Sequence, residues 1–213
     1  MWSDLHILVG GVANTVTITL LAFLVGSVLG VPLALLRRSR SFLLRAPAAL
    51  SIDLIRAVPP IVWLFIVFYG FGTSVVRLTP YPSAVYALGA VSAAYMAEIY
   101  RSGLLAVHRG QHEAAQSLGL GRISAFLAVI APQAVRVVIP SAVTWAIGLL
   151  KDTAIVSVVG VQDIAFKANY VSQHRASAVN VFLEAGILYI ILSVPMAVLG
   201  RWADARVASV VAR

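Results

Sequence analysis

The opening of the chain constrains its fold more than any other feature, because residues 7–36 contain no Asp, Glu, Lys or Arg. A helix rises about 1.5 Å per residue and needs roughly 20 apolar residues to cross a bilayer, so this run is more than long enough. No Lys or Arg precedes it, and it is too long for the apolar region of a signal peptide. We interpret it as a retained first membrane span that tilts or begins outside the hydrocarbon core.

The remaining sequence is also strongly apolar. Of 213 residues, 61% are hydrophobic and 11% are charged, whereas soluble domains carry about 25% charged residues. Four further apolar segments bring the predicted number of spans to five. They cover approximately residues 10–36, 50–76, 80–100, 133–150 and 178–201. The sequence therefore predicts an all-α membrane protein with a single domain, residues 1–213.

Arginines mark one side of this predicted bundle. They follow the first span, lie between the third and fourth, and follow the fifth: Arg37, Arg38, Arg40 and Arg45; Arg101, Arg109, Arg122 and Arg136; Arg201, Arg206 and Arg213. The positive-inside rule places all three groups in the cytoplasm, with the N-terminus outside and the C-terminus inside. The net charge of +8 is thus explained by topology. Because these arginines flank spans instead of forming one basic face, we exclude nucleic-acid binding.

The absence of cysteine excludes disulfides, thiolate metal sites and cysteine nucleophiles. His108 and His112 stand four residues apart beside Glu113, but no third metal ligand has a suitable spacing and Gly110 is expected to interrupt the helix between them. We expect no metal site. In the first span Gly26 and Gly30 form a GxxxG pattern, which we interpret as packing within the bundle.

The charged segment between the third and fourth spans, residues 101–132, is the most polar part of the chain. The sequence predicts short helices over residues 100–107 and 111–118, separated at Gly110 and ended by the glycines at 119 and 121. Pro132 is expected to limit helix continuation into the next span. Small Ala114 and Ala115 would let another surface approach, with Glu113 beside them for polar contact. An ordinary amphipathic interfacial helix is the alternative.

The spacing within this segment resembles a known motif. Glu113-Ala114-Ala115, then Gly119, then Pro132 is similar to the EAA loop of bacterial ABC importer permeases. Two other segments resemble the branch that imports polar amino acids: residues 53–59, Asp-Leu-Ile-Arg-Ala-Val-Pro, and residues 150–161, which begin Leu-Lys-Asp-Thr. The chain departs from that branch at Ala57-Val58, Trp63, Ala131 and Gln162. These departures bear on the identity of the transported solute more than on the transport mechanism.

The resemblance implies a fold of the type I ABC importer permease and a place in the bacterial cytoplasmic (inner) membrane. It implies a coupling loop, residues 101–132, that docks an ATP-binding subunit dimer through Glu113, Ala114, Ala115, Gly119 and Pro132. It also implies a second permease copy or sister permease, and an extracytoplasmic binding protein that delivers a small polar solute, an amino acid or related zwitterion. The chain has no phosphate-binding loop, so we expect ATP and Mg in the partner, no cofactor here, and no enzymatic activity.

Ionisable or helix-breaking residues inside the predicted spans are candidates for the solute pathway. They are Asp53, Arg56, Pro59, Trp63, Lys151, Asp152 and Glu184. Each has a structural alternative. Asp53 and Arg56 can pair across one helical turn, Lys151 can snorkel to an interface, and Glu184 can lie at the outer surface. Pro59-Pro60 is expected to kink the second span and to leave carbonyl groups free.

Three other functions compete with an amino-acid ABC importer. An ABC permease for another solute would have the same architecture. An ion-coupled secondary carrier would use Asp53, Arg56 and Glu184 as a relay, but it leaves the charged segment unexplained. A membrane enzyme would use His108, His112 and Glu113, but it lacks a further convergent catalytic group.

Overall fold

A computed structural model of the protein describes residues 5–71, 78–174 and 178–211, with the backbone alone for residue 71 and residues 203–211. All regular structure in these ranges is helical. In chain order the α-helices are α1 (Leu5–Val9), α2 (Val12–Arg37), α3 (Phe42–Ala57), α4 (Pro60–Phe65), α5 (Pro80–Ala106), α6 (Arg109–Ser117), α7 (Arg122–Ala125), α8 (Ala131–Asp152), α9 (Ile164–Ser172) and α10 (Ala178–Val211). π-Helical turns cover Ile66–Phe71 and Phe126–Ile130, and a 3₁₀ helix covers Thr153–Val159.

Three helical stretches of the described residues are long and apolar enough to cross a membrane: Leu5–Arg37, Arg122–Val159 and Ala178–Trp202. A fourth arises if the bent pair Phe42–Ala57 and Pro60–Gly70 counts as one span. Helix α5 has 27 residues, but its composition is less apolar, with many small and hydroxyl-bearing side chains buried against the rest of the chain. The structure therefore supports three or four spans by composition, and the predicted count of five depends on α5.

The predicted second span is broken. Helices α3 and α4 meet at an angle of 103°, with Val58 and Pro59 in extended conformations between them. Pro59 and Pro60 have no N–H, so the carbonyls four residues earlier lose their helical donors. The indole Nε1 of Trp63 replaces one of these lost donors, because it donates a hydrogen bond to the Ile55 carbonyl at 3.1 Å. The expected kink is confirmed. Residues 72–76 of the predicted span over 50–76 lie outside the described ranges.

Helices α2 and α5 form the centre of the bundle through small residues. A Cβ built on Gly26 would overlap the side chain of Ser92, and one built on Gly30 would lie 2.8 Å from the Cβ of Met96. From the other helix, a Cβ on Gly89 would lie 2.9 Å from Val25. Close backbone approach of this kind is how membrane helices gain dispersion contacts. The interpretation of the GxxxG pattern as internal packing is confirmed.

The segment between α5 and α8 differs from the predicted pair of short helices. Helix α5 continues unbroken to Ala106, α6 follows it, and the short α7 leads through the π-helical turn into α8. We call residues 107–121 the hook. Gly110 lies in the first turn of α6, where it breaks nothing. The helical path also continues through Pro132: the wider turn at Phe126–Ile130 precedes it and relieves the missing N–H and the clash of the proline ring.

Candidate functional site

Two caps hold helix α6 in place. At its start the His108 ring nitrogen Nδ1 accepts a hydrogen bond from the Gly110 N–H at 3.1 Å. At its end Gly119 adopts a φ of +73°. The Gly119 N–H then bonds the Gln116 carbonyl at 2.9 Å and the Leu120 N–H bonds the Ala115 carbonyl at 3.1 Å. This is a Schellman motif, which stops a helix and turns the chain sharply. The predicted role of Gly119 as a helix stop is confirmed.

The outer surface of the hook carries Glu113 and Ala114, both exposed, whereas Ala115 is 2% exposed. The expectation that both alanines lie open to a partner is therefore wrong for Ala115. Its small side chain instead lets α6 pack closely against the chain. Pro132 is exposed and lies in the first turn of α8. A link between the two regions comes from Gln133, whose side-chain amide donates to Gln111 at 3.1 Å.

Large apolar side chains surround the hook. Leu118 is 79% exposed and Ile123 is 75% exposed. A cavity of about 230 Å³ is lined by His112 and Gln116 of α6 and by Phe126 of the wide turn. Exposed apolar groups beside polar ones are typical of a protein-binding surface. The hook thus combines a helix capped at both ends, one exposed carboxylate and exposed apolar side chains.

Four charged side chains meet where α2, α3 and α5 approach each other near the hook. Arg37 Nη1 lies 2.8 Å from Asp53 Oδ1 and 3.4 Å from Glu98 Oε2. Arg101, one turn after Glu98, donates to the same carboxylate through Nε at 2.6 Å. The structural alternative of an Asp53–Arg56 pair is not what the structure shows: Asp53 pairs with Arg37. We call Arg37, Asp53, Glu98 and Arg101 the charge cluster; sequence reasoning missed it because its members are distant in the chain.

Arg56 has a different neighbour. Its guanidinium lies 5.1 Å from the ring centre of Tyr95, which stacks on Trp145 with ring centres 3.9 Å apart. The Trp145 indole N–H donates to the buried Ser92 hydroxyl at 2.9 Å. A cation over an aromatic face is favourable and leaves the guanidinium N–H groups available to other acceptors. Arg56 is exposed beside the bend at Pro59, so it can bind an anion there.

Lys151 and Asp152 end α8, directly before the 3₁₀ helix Thr153–Val159. That helix stops at Gly160, where φ is +90°. Lys151 is exposed and Asp152 is half-buried. Glu184 lies in α10 and is 5% exposed, which excludes the alternative of a surface position. The predicted pathway residues therefore do not form one cluster: Asp53, Arg56, Pro59 and Trp63 lie around α3 and α4, and the others lie on α8 and α10.

Sequence reasoning also missed Asp163, which is fully buried at the end of the bundle opposite the hook. It caps α9 by accepting from the Phe166 N–H at 2.8 Å, and the Tyr189 hydroxyl donates to it at 3.4 Å. Burial raises the pKa of the Asp163 carboxyl from 3.8 to about 6, against the opposing effect of these hydrogen bonds. An acidic residue before a helix is an ordinary cap signal, so the sequence did not distinguish it.

Within the described ranges, no group of three His, Asp or Glu side chains is arranged to hold a metal ion. His108 and His112 have separate positions instead: the first caps α6 and the second lines the cavity beside Phe126.

Comparison with known proteins agrees with this arrangement. Residues 26–209 match the family described as binding-protein-dependent transport system inner membrane component. The L-cystine transport system permease protein TcyB of Bacillus subtilis (strain 168) is 37% identical over 187 residues, which cover 87% of this chain and 80% of TcyB. The glutamate/aspartate import permease protein GltK of Escherichia coli O6:H1 is 30% identical over 219 residues, covering 97% and 98%.

A crystal structure of an amino acid ABC transporter with histidines contains a chain of the same fold. Its TM-score is 0.88 at 30% identity, with 94% of each chain covered. The expected fold of a type I ABC importer permease is confirmed. The chain belongs to the family of inner membrane components of binding-protein-dependent transport systems.

Proposed function

We propose that this chain is the membrane-spanning subunit of an ABC importer that moves a small polar solute, an amino acid or related zwitterion, into the cytoplasm. The family match supports the transport role. The relatives support the solute class, because TcyB is a cystine permease and GltK a glutamate and aspartate permease. The chain supplies the pathway and performs no catalysis; ATP and Mg bind in the partner.

The hook is the observation that carries this proposal. A short capped helix with an exposed carboxylate at Glu113, a small Ala114 beside it and exposed Leu118 at its end suits a groove in another protein. In the proposal, that protein is the ATP-binding subunit, and each of its two copies takes one hook. The second hook comes from another copy of this chain or from a sister permease.

The proposed topology has five spans with the N-terminus outside and the C-terminus inside. Helix α5 is one of the five, because its 27 residues exceed the length needed and neighbouring helices, not lipid, cover much of its surface. Helices α3 and α4 form one broken span. The arginines at the hook end support this orientation, which places the hook in the cytoplasm.

Transport then follows from movement of the hooks. Closure of the ATPase dimer brings the two hooks together and turns the paired bundles as rigid bodies, which switches the pathway from inward-facing to outward-facing. An extracytoplasmic binding protein delivers solute at the end opposite the hook. Arg56 is a binding residue in this scheme: its guanidinium holds the solute carboxylate beside the bend at Pro59. Hydrolysis resets the transporter.

The test is the variant Glu113→Lys. Reversal of an exposed charge buries nothing new, so the variant should reach the membrane at the wild-type level, yet lose ATPase co-purification and solute-stimulated ATP hydrolysis. Glu113→Asp retains the carboxylate and should keep most of both. Normal hydrolysis and uptake in Glu113→Lys would overturn the docking role. Uptake that persists without ATP but requires an ion gradient would favour a secondary carrier instead.

A further inference from the structure

A run of arginines joins helices α2 and α3. Residues 37–45 contain four arginines and neither Asp nor Glu. Arg37 belongs to the charge cluster, where two carboxylates hold it. Arg38, Arg40 and Arg45 are exposed, and none of the ion pairs that join the described residues includes them. We call these three arginines the basic turn; their charge and their N–H donors are available to a further partner.

The basic turn lies where a membrane span ends. The stretch Leu5–Arg37 is long and apolar enough to cross a membrane, and α3 begins at Phe42. Arginines directly after a span lie at the level of the lipid headgroups. The ion pair of Arg37 with Asp53 ties the end of α2 to α3, so the connection between the two helices is held in one place.

Helix α3 has apolar side chains on two opposite faces. Ala48 and Ile52 are buried, and Ile52 packs with residues of α2 and α5. On the other face, four apolar residues recur every three or four positions, which aligns them along the helix. All four are exposed, with Leu43 at 82% and Leu50 at 70%. We call this row the α3 stripe: Leu43, Pro47, Leu50 and Leu54.

The length of the α3 stripe matches one leaflet of a bilayer. Leu43 and Leu54 are eleven residues apart, which corresponds to about 16 Å along the helix axis. The hydrocarbon core of a bilayer is about 30 Å thick, so half of it is about 15 Å. The stripe begins beside the basic turn and has the length of an acyl chain region. Arg56 lies on a different face of α3, because successive residues turn by about 100°.

We propose that the basic turn and the α3 stripe together bind an anionic phospholipid, with its phosphate on the arginines and its acyl chains along the stripe. Guanidinium groups hold phosphate oxygens through paired hydrogen bonds, and basic residues beside a span attract acidic lipids. A soluble phosphate would leave the stripe uncovered. The proposal goes beyond the proposed function, since it requires only the location in the inner membrane that the family match supports.

A fluorescent label on the α3 stripe measures which lipid lies there. The chain has no cysteine, so Leu50→Cys carries one bimane label. Leu20→Cys carries a reference label, because Leu20 is exposed on α2 and about 27 Å from Arg38 along the helix. The full-length protein, with its partner subunits in cysteine-free form, is reconstituted in dioleoylphosphatidylcholine. Quenching by brominated phosphatidylglycerol is compared with quenching by brominated phosphatidylcholine.

We expect phosphatidylglycerol to occupy the Leu50 position about fivefold or more in preference to phosphatidylcholine. The preference should be absent at the Leu20 position. It should fall when the salt concentration is raised to about 1 M, because salt screens the attraction between arginine and phosphate. Glycerophosphoglycerol, which has the same headgroup without acyl chains, should not displace the lipid.

Variants assign the preference to the basic turn. Arg38→Gln with Arg40→Gln should lower it severalfold, whereas Arg38→Lys with Arg40→Lys keeps the charge and should keep most of it. Arg201→Gln is the matched control, because Arg201 is an exposed arginine near the end of α10 and its loss should change nothing at the Leu50 position. If the double glutamine variant fails to insert, Arg40→Gln alone must lower the preference.

Three results would overturn the site. One is equal occupancy by the two lipids in the wild-type protein, and another is a wild-type preference in the glutamine variants. The third is a Leu50 label that neither lipid quenches, which would show that a protein surface covers the α3 stripe. Full displacement by glycerophosphoglycerol would instead assign the basic turn to a soluble phosphate and also contradict the proposal. Failure of the proposed function is read separately, from ATP-driven solute uptake.

Discussion

A single backbone angle at Gly119 decides how the hook ends. Its φ of +73° lies in the left-handed region, which costs a residue with a Cβ about 1–2 kcal/mol. We expect Gly119→Ala to loosen the end of α6 and reduce solute-stimulated ATP hydrolysis several-fold at an unchanged membrane level. The rate of solute-stimulated ATP hydrolysis by the purified complex in proteoliposomes measures the effect of the substitution.

Gly121 is the matched control for that substitution. It has a φ of −60°, and a Cβ built on it would meet nothing within 4 Å. Gly121→Ala should therefore behave as wild type. If both alanine variants lose hydrolysis equally, the angle at Gly119 is not the cause.

Asp163 makes stability depend on pH. Because burial raises its pKa to about 6, the folded protein retains a proton between pH 3.8 and 6 that the unfolded chain has lost. The favourable contribution is present below pH 3.8 and is lost as the pH rises through 6. The free energy of unfolding should fall by up to about 3 kcal/mol over this range.

Thermal unfolding of the protein in detergent at pH 4, 5, 6 and 7 checks this. Asp163→Asn is the comparison, because asparagine can still cap α9 but does not titrate. Its melting temperature should lose the wild-type dependence over this range. An equal pH dependence in both proteins would assign the effect to another group.

Between helices, the charge cluster predicts unequal costs for two similar substitutions. The Glu98 side chain is 15% exposed and bonds Arg101, while Asp53 is 55% exposed. Removal of a mostly buried partner leaves charge unpaired and costs about 3–5 kcal/mol, whereas an exposed pair contributes about 0–1 kcal/mol. Glu98→Gln should therefore lower the melting temperature clearly and Asp53→Asn slightly. The reverse order would show that α3 depends on Asp53.

Sequence patterns predicted the elements better than their contacts. Pro59-Pro60 indicated a break because proline lacks an N–H, but no local rule gives the angle of 103°. Pro132 indicates a limit to helix continuation into the next span, but the wide turn at Phe126–Ile130 compensates for it through geometry that no sequence rule specifies. The candidate site shows the same difference between elements, which were predictable, and contacts, which were not. The end of the hook at Gly119 was predictable from the sequence, whereas Arg37 as the partner of Asp53 depends on how α2 and α3 pack.

For the whole molecule, the lack of cysteine permits a direct test of orientation. Thr79 precedes α5 and Ser117 ends α6, and both are exposed. In intact spheroplasts, an impermeant maleimide should label Thr79→Cys at once and Ser117→Cys only after the membrane is opened. Labelling of Ser117→Cys from outside would reverse the orientation and remove the hook from the ATPase.

The tight contact of α2 with α5 also has a consequence for biogenesis. Helix α2 leaves the ribosome well before α5, so the surface at Gly26 and Gly30 first meets lipid or a chaperone. Only when α5 inserts can Ser92 and Met96 cover that surface. A nascent chain whose synthesis stops after α2 and before α5 would leave the surface at these two glycines uncovered, and quality-control proteases in the membrane can recognise such a surface. Substitution of either glycine by a larger residue should therefore shorten the lifetime of the protein in the cell before it alters transport.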